Sequence, residues 1–236
     1  MAFAPSEVET KRPPVGGSDW KPYVLPFAVL IVLLGLGPYL GIGPALAHPS
    51  RTLAVLATLL VFSRGVISFR PARPVSSILL GLAVFAIWIA PDLLFPGYRH
   101  SWLFDNALTR VSANGLPAPA LRTSAWYVCF RVGGAALLIP VVEELFWRAW
   151  LMRWLISPDF EKIPLGAYAP QAFWFTAVLF ASEHGTFWDV GLAAGILYNW
   201  WMIRTRSLAD CILAHAVTNA SLAAYVLLGG QWQYWN

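Results

Sequence analysis

Side chains that could activate a water molecule are concentrated in three short stretches of the second half of the chain. The first reads EELFWR and begins at Glu143, the second is FASEH and ends at His184, and the third is HAVTN, from His215 to Asn219. Carboxylates and imidazoles act as general bases near neutral pH, and an imidazole and an amide can donate hydrogen bonds to an oxyanion. Together these residue types could hydrolyse a peptide bond without a covalent intermediate.

The spacing of the first stretch separates its two carboxylates. Glu144 and Arg148 are four residues apart, so on a helix they face each other in the favourable order for an ion pair. Glu143 points about 100° away around the same helix. This spacing predicts that Arg148 holds Glu144 and leaves Glu143 available as a general base. In the alternative interpretation, both glutamates pair with Arg148 and Arg131 and serve only to orient helices.

The elements that must position these side chains are predicted to be membrane-spanning helices. Of the 236 residues, 58% are hydrophobic and 12% are charged, and the mean hydropathy is +0.60. Because about 20 apolar residues cross a bilayer, the apolar runs predict an all-α, polytopic transmembrane bundle of about seven spans, within a range of roughly six to eight. The predicted spans are residues 24–47, 53–69, 78–95, 126–155, 171–184, 187–203 and 208–228.

The sequence predicts one folded domain, because it has no internal repeat and no low-complexity segment. The polar residues 1–22, rich in Pro and Gly, are expected to form a disordered cytoplasmic tail. Residues 23–236 are expected to form a single transmembrane domain, with the catalytic helices in 124–228. Gly191 and Gly195 make a GxxxG pattern in an apolar run, which is typical of close helix packing.

The distribution of basic residues predicts the orientation. With the amino terminus inside and seven crossings, nine basic residues are cytoplasmic (Lys11, Arg12, Lys21, Arg70, Arg73, Arg153, Lys162, Arg204 and Arg206) and four are outside (Arg51, Arg99, Arg110 and Arg122). This bias follows the positive-inside rule and also accounts for the net charge of +4. No basic cluster interleaves with aromatic residues, so nucleic acid is not an expected partner.

The three stretches resemble the signatures of the CAAX protease and bacteriocin-processing enzyme (CPBP) superfamily, which includes the type II CAAX prenyl endopeptidases and many bacterial relatives. Its signatures are EExxxR, FxxxH and HxxxN, on successive membrane helices. They stand here in that order as Glu143, Glu144 and Arg148, then Phe180 and His184, then His215 and Asn219. The resemblance covers approximately residues 131–228.

The resemblance implies an intramembrane endopeptidase in the inner membrane of a bacterium, acting on a membrane-associated or lipidated peptide or protein in the lipid bilayer. It implies that Glu143 and His184 activate the water. Glu144 would assist while Arg148 holds it, and Phe180 would pack beneath His184. No cofactor is expected.

On the same resemblance, His215 and Asn219 form the oxyanion hole. The chain departs from the pattern at Ala149, where the family usually has Gly, and at Glu183, an additional acid beside the signature histidine. Glu183 could orient His215, line a water path or cap a helix end.

Three alternatives accompany this interpretation. Two histidines and a carboxylate are a legitimate catalytic zinc set, so a zinc-dependent version of the protease would use Glu143, His184 and His215. A non-catalytic membrane scaffold or chaperone of the same fold would retain the helices and bind a partner. A proton-coupled transporter would also place Glu and His in the membrane, but no inverted repeat supports it.

Two further patterns concern support rather than chemistry. Ser207 and Asp210 in SLAD fit a capping box that would open the last helix and fix the depth of His215. Tyr198 and Asn199, in GILYNWW, are interpreted as helix-packing residues rather than as substrate contacts.

Overall fold

The computed structural model describes residues 18–106, 109 and 116–235, and its regular structure there is entirely helical. The predicted all-α class is therefore confirmed. Residues 1–17, most of the predicted tail, lie outside the described residues. Within those residues the helices are α1 (Lys21–Leu36), α2 (Pro44–Phe62), α3 (Pro74–Leu94), α4 (Pro119–Arg122), α5 (Ala125–Trp154), α6 (Pro170–Ser182), α7 (Trp188–Thr205) and α8 (Leu208–Gly229).

Proline sets the start of several helices. The first residues of α2, α3, α4 and α6 are Pro44, Pro74, Pro119 and Pro170. A proline fits this position because its fixed φ is helical and the N–H it lacks would have no partner there. The boundaries predicted for the first two spans, 24–47 and 53–69, are wrong, because the Gly-Pro pairs at 37–38 and 43–44 interrupt a run of continuous hydropathy.

Four helices are long and apolar enough to cross a membrane, namely α2, α3, α5 and α8. Helix α1 is apolar but has 16 residues. Helix α6 has 13 residues, which is about 20 Å at 1.5 Å per residue. The structure thus supports a polytopic bundle with four clear spans, and it does not confirm the predicted number of about seven.

The outer faces of the long helices are apolar and exposed. They carry large hydrophobic side chains such as Leu53, Leu60 and Val61 on α2 and Leu79 and Leu82 on α3. Soluble monomers rarely expose contiguous apolar surfaces of this extent. The pattern fits a protein whose outer surface is in contact with lipid tails.

Helix α5 lies at the centre of the bundle, in contact with α1, α2 and α8, while α3 lies along α8 and α6 lies along α7. Two parts of α5 are π-helical, Gly134–Leu138 and Leu145–Leu151. The α-helical turns between them, Ile139–Glu144, carry the paired carboxylates. Such π segments occur frequently at functional sites.

The start of α8 is attached to the start of α3 through Asp210. The Asp210 N–H donates to Ser207 Oγ at 3.3 Å, which is the N-cap half of the predicted capping box. The other half is absent, because the Ser207 N–H donates to Thr205 Oγ1 at 3.3 Å. The Asp210 carboxylate accepts hydrogen bonds from Ala72 N at 2.7 Å, Arg73 N at 2.9 Å and Ser77 Oγ at 2.7 Å. This anchor fixes the axial position of α8, and with it the position of His215 five residues later.

Candidate active site

A fully buried ion pair forms the base of the site. Arg148 Nη1 lies 3.1 Å from Glu144 Oε1, and both side chains are inaccessible to solvent. The Arg148 Nε donates to Asn199 Oδ1 at 3.1 Å, and the guanidinium lies 4.4 Å from the centre of the Phe180 ring. The predicted pairing of Glu144 with Arg148 is therefore present. Arg131, the other arginine considered for this pairing, donates instead to the carbonyl of Trp235.

His215 lies between the two glutamates. Its Nδ1 donates to Glu144 Oε1 at 2.8 Å, and its Nε2 is 4.0 Å from Glu143 Oε2. The ring stacks on Tyr198, with 5.0 Å between the ring centres and 23° between the planes. Among the described histidines, it is His215 rather than His184 that comes within 4.0 Å of Glu143. That both carboxylates flank this one imidazole is not evident from the sequence.

Glu143 is the less constrained of the two carboxylates. Its side chain is 13% exposed, whereas that of Glu144 is 0% exposed. The Oε2 atom of Glu143 is buried and has no hydrogen-bond partner in the described part of the chain. A buried carboxylate oxygen of this kind requires a water or a substrate group as its partner.

His184 lies directly beyond the end of α6, in the turn that leads into α7. Its Nδ1 is 2.8 Å from the carbonyl oxygen of Phe180. Because a carbonyl can only accept, the proton is on Nδ1, and Nε2 is left as the proton acceptor. The ring packs on Phe180 at 4.8 Å, as expected, and on Trp88 at 5.2 Å.

The GxxxG pattern of α7 supports His184. A Cβ atom at Gly191 would lie 3.1 Å from Cγ of His184, and one at Gly195 would lie 3.1 Å from the carbonyl oxygen of Ala177 on α6. The predicted close packing is therefore confirmed. It has a second role that the sequence did not reveal, because Gly191 provides the space that the histidine ring occupies.

Asn219 is one helical turn beyond His215 on α8. Its Nδ2 donates to the carbonyl oxygen of Ala135, in the first π segment of α5, at 2.8 Å. One of the two amide hydrogens is thus used in helix packing. The other is available for a ligand.

Several supporting residues were not predicted as part of the site. Tyr198 donates to Thr218 Oγ1 at 2.8 Å, and Thr218 donates to the carbonyl oxygen of Gly81 at 2.8 Å. Asn199 Nδ2 donates to the carbonyl oxygen of Phe173 at 2.8 Å. Their packing role agrees with the interpretation of Tyr198 and Asn199. One sequence feature could have indicated that Asn199 also contacts the site: it is an amide inside an apolar helix, and such an amide requires a polar partner.

Glu183 is the residue that directly follows α6. Its charge is close enough to interact with those of Glu143 and Arg148. Three roles were predicted for it: to orient His215, to line a water path or to cap a helix end. Its position directly after α6 agrees with the third. His215 receives its orientation from Glu144 instead.

No three His, Cys, Asp or Glu side chains in the described ranges are arranged to hold a metal ion. The set considered for zinc was Glu143, His184 and His215. It is not assembled in this arrangement, and chelation is the direct test of that alternative.

A membrane-type helical bundle that encloses two carboxylates, two imidazoles and a buried guanidinium belongs to the class of helical membrane proteins with a polar interior. A family model described as "Type II CAAX prenyl endopeptidase Rce1-like" matches residues 125–221. This segment begins at the first residue of α5 and contains all three signatures, so the predicted resemblance to the CPBP superfamily is confirmed over these residues. The family match and the four apolar spans together identify an integral membrane protein.

Comparison of the chain with curated proteins and with solved structures gives no match.

Proposed function

We propose that the protein is an intramembrane endopeptidase that hydrolyses a peptide bond of a membrane-associated protein or peptide. The observation that carries the proposal is the arrangement around His215, which bonds to Glu144 and faces an unpartnered carboxylate oxygen of Glu143. This arrangement lies inside the segment that matches the type II CAAX prenyl endopeptidase family.

Glu143 is the proposed general base. Its buried Oε2 would bind the attacking water, and His184 would orient that water through Nε2, the nitrogen left without a proton. As the water oxygen bonds to the scissile carbonyl carbon, its proton passes to Glu143. Glu143 then gives this proton to the leaving nitrogen when the carbon–nitrogen bond breaks, so that water is the only co-reactant.

His215 and Asn219 are the proposed donors to the oxyanion. Asn219 would use its second amide hydrogen. His215 already donates Nδ1–H to Glu144, so it would donate to the oxyanion through Nε2. The ring would then carry a proton on both nitrogens and would be a cation beside an anionic carboxylate. Such preorganised donors stabilise the negative charge that develops on the carbonyl oxygen. Glu144, held by Arg148, acts through His215 rather than on the substrate.

The test uses the purified full chain in lipid nanodiscs with a panel of membrane-associated peptides, with and without a lipid modification. We expect Glu143→Gln and His184→Ala each to lower kcat/KM by at least about 100-fold, the usual contribution of a general base. Glu161→Gln and His100→Ala are matched controls, because both side chains are exposed and outside the site. Cleavage by both site variants at the wild-type rate would exclude the proposed water-activating pair.

Two further observations in the same experiment separate the alternatives. Activity that persists after exhaustive chelation supports the metal-free mechanism, and loss of activity that zinc restores supports the zinc-dependent one. A partner that copurifies with wild type and with the inactive variants, without being cleaved, favours the scaffold.

A further inference from the structure

A second group of buried basic side chains lies at the other end of α5 from the ion pair. Arg51 on α2 donates through Nη2 to His48 Nδ1 at 2.9 Å. Arg51 and Arg131, on α5, are close enough for their like charges to interact. The ring of Tyr127 packs edge-on against His48, with 5.3 Å between ring centres. Two guanidinium groups thus share one partly buried location.

These two arginines have no carboxylate partner within residues 18–106, 109 and 116–235. Arg131 donates from Nη2 to the carbonyl oxygen of Trp235 at 3.2 Å, and its Nε is buried without a partner. By contrast, Arg148 pairs with Glu144, and Arg99 pairs with Asp92 and Asp189. Buried like charges without a counterion are unfavourable, so this location is suited to an anion.

An apolar groove begins beside the arginines. It has a volume of about 770 Å³ and lies between α2, α5 and α8. Its lining includes Thr52, next to Arg51 in the chain, and Gly134, one helical turn from Arg131. From Thr52 the lining continues along α2 to Leu60, about 12 Å along the helix axis, and its other residues are almost all hydrophobic. This combination has a charged end and a long apolar body.

We propose that Arg51 and Arg131 bind the phosphate of an anionic phospholipid whose acyl chain lies in this groove. Guanidinium groups bind phosphate oxygens through paired, charge-assisted hydrogen bonds. The groove opens on a surface of exposed apolar side chains, where a lipid tail is available and a soluble anion is not.

The arginine end of this site is separate from the candidate active site. Arg131 precedes Glu143 by twelve residues, which is about 18 Å along α5. None of the residues proposed to activate water or bind the oxyanion lines the groove. The inference therefore does not depend on the proposed peptidase activity.

The experiment measures thermal unfolding of the delipidated full chain in a neutral detergent. The probes are phosphatidylglycerol, phosphatidylcholine with the same acyl chains, and inorganic phosphate, each titrated separately. We expect phosphatidylglycerol to stabilise the protein with a half-saturating concentration about tenfold or more below that of phosphatidylcholine, because of its net negative charge. Inorganic phosphate should give no comparable stabilisation, because it lacks the acyl chain.

Variants then assign the effect to the two arginines. In the double variant Arg51→Gln with Arg131→Gln, the half-saturating concentration of phosphatidylglycerol should rise to that of phosphatidylcholine. In Arg51→Lys with Arg131→Lys, most of the difference between the two concentrations should remain. Arg64→Gln is the matched control, because Arg64 is an exposed arginine beyond the opposite end of α2. It should change the ratio by less than about twofold.

A third variant tests the groove. A Cβ at Gly133, which lines the groove, would meet no atom within 4 Å, so Gly133→Leu is chosen to place a branched side chain in the groove. This variant should raise the half-saturating concentrations of both lipids, because both place an acyl chain in the groove. Equal stabilisation of wild type by the two lipids would overturn the proposal, and this comparison needs no variant. Stabilisation by phosphate equal to that by phosphatidylglycerol would also overturn it, since the site would then bind a soluble anion.

Discussion

Two polar networks are buried in the same bundle, one around Asp210 and one around His215. In the first, the Asp210 carboxylate accepts three hydrogen bonds, and Trp201 Nε1 donates to Ser77 Oγ at 3.1 Å. In the second, buried atoms of Glu143, Glu144 and Arg148 have no partner in the described part of the protein. Both networks bury charged groups, so burial alone does not distinguish them. They differ in that only the network around His215 has unused hydrogen-bonding capacity at its charged groups.

This difference indicates that the two networks have different roles. The Asp210 network holds α3 against α8, and every bond of its carboxylate is used to do so. The His215 network keeps donors and acceptors free, which is unfavourable for folding and is required for binding a water and a substrate. The contrast predicts that variants in the first network lose stability, and that variants in the second lose activity.

The largest expected effect comes from Arg148, whose buried ion pair with Glu144 supports the fold as well as the candidate site. Arg148→Met would leave the buried carboxylate of Glu144 without its ion-pair partner and should lower the free energy of unfolding by about 3–5 kcal/mol. Denaturant titration in micelles measures this loss. The double variant Glu144→Gln with Arg148→Met should be less destabilised than Arg148→Met alone, and the reverse order would show that the pair is not the cause.

Glu143→Gln should separate activity from stability. The amide retains the size of the carboxylate but cannot accept the proton of water, so kcat should fall by about 10²–10³-fold. The free energy of unfolding should stay within about 0.5 kcal/mol of wild type, because Glu143 Oε2 has no hydrogen bond to lose among the described residues. A large loss of stability at full activity would place Glu143 with the structural network instead.

Asp210→Asn should give the opposite result. An amide accepts weaker hydrogen bonds than a carboxylate, so we expect a loss of about 2 kcal/mol in the free energy of unfolding. The folded fraction should keep kcat within about threefold of wild type. Asp159→Asn is the control, since its ion pair with Lys162 is exposed and should contribute less than about 1 kcal/mol.

Gly191→Ala should have the smallest effect. The added methyl group would lie 3.1 Å from Cγ of His184 and must displace the ring. We expect kcat to fall by about tenfold or less, with a change in stability below about 1 kcal/mol. Gly133→Ala, where the methyl group meets nothing within 4 Å, is the matched control. Equal kinetics for the two variants would remove the steric role assigned to Gly191.

The sequence was sufficient to predict contacts between residues of the same helix. The four-residue spacing of Glu144 and Arg148 predicts their ion pair, and the spacing of Ser207 and Asp210 predicts the cap. The signature stretches also indicated the family whose model matches residues 125–221. These features depend on local spacing and on residue type, both of which are present in the sequence.

Contacts between helices were not predictable in the same way. The imidazole of His215 lies between Glu144 and Glu143 because of how α5 and α8 are placed, and the amide of Asn219 bonds to Ala135 for the same reason. Hydropathy also concealed the break between α1 and α2. An apolar run has the same mean value whether it forms one helix or two.

The two π segments of α5 impose a requirement on the length of this helix as well as on its composition. Each wide turn accommodates residues that a regular α-helix would place on another face. Deleting a single residue from Leu145–Leu151 would allow that segment to close into an α-helix. What lies beyond the deletion would then keep nearly the same orientation relative to Glu143 and Glu144, whereas the same deletion in a regular turn of α5 would rotate it by about 100°. A single-residue deletion in the regular turns of α5, such as Ile139–Glu144, should therefore be far more damaging to the protein than one in a π segment, even though each residue that remains is unchanged.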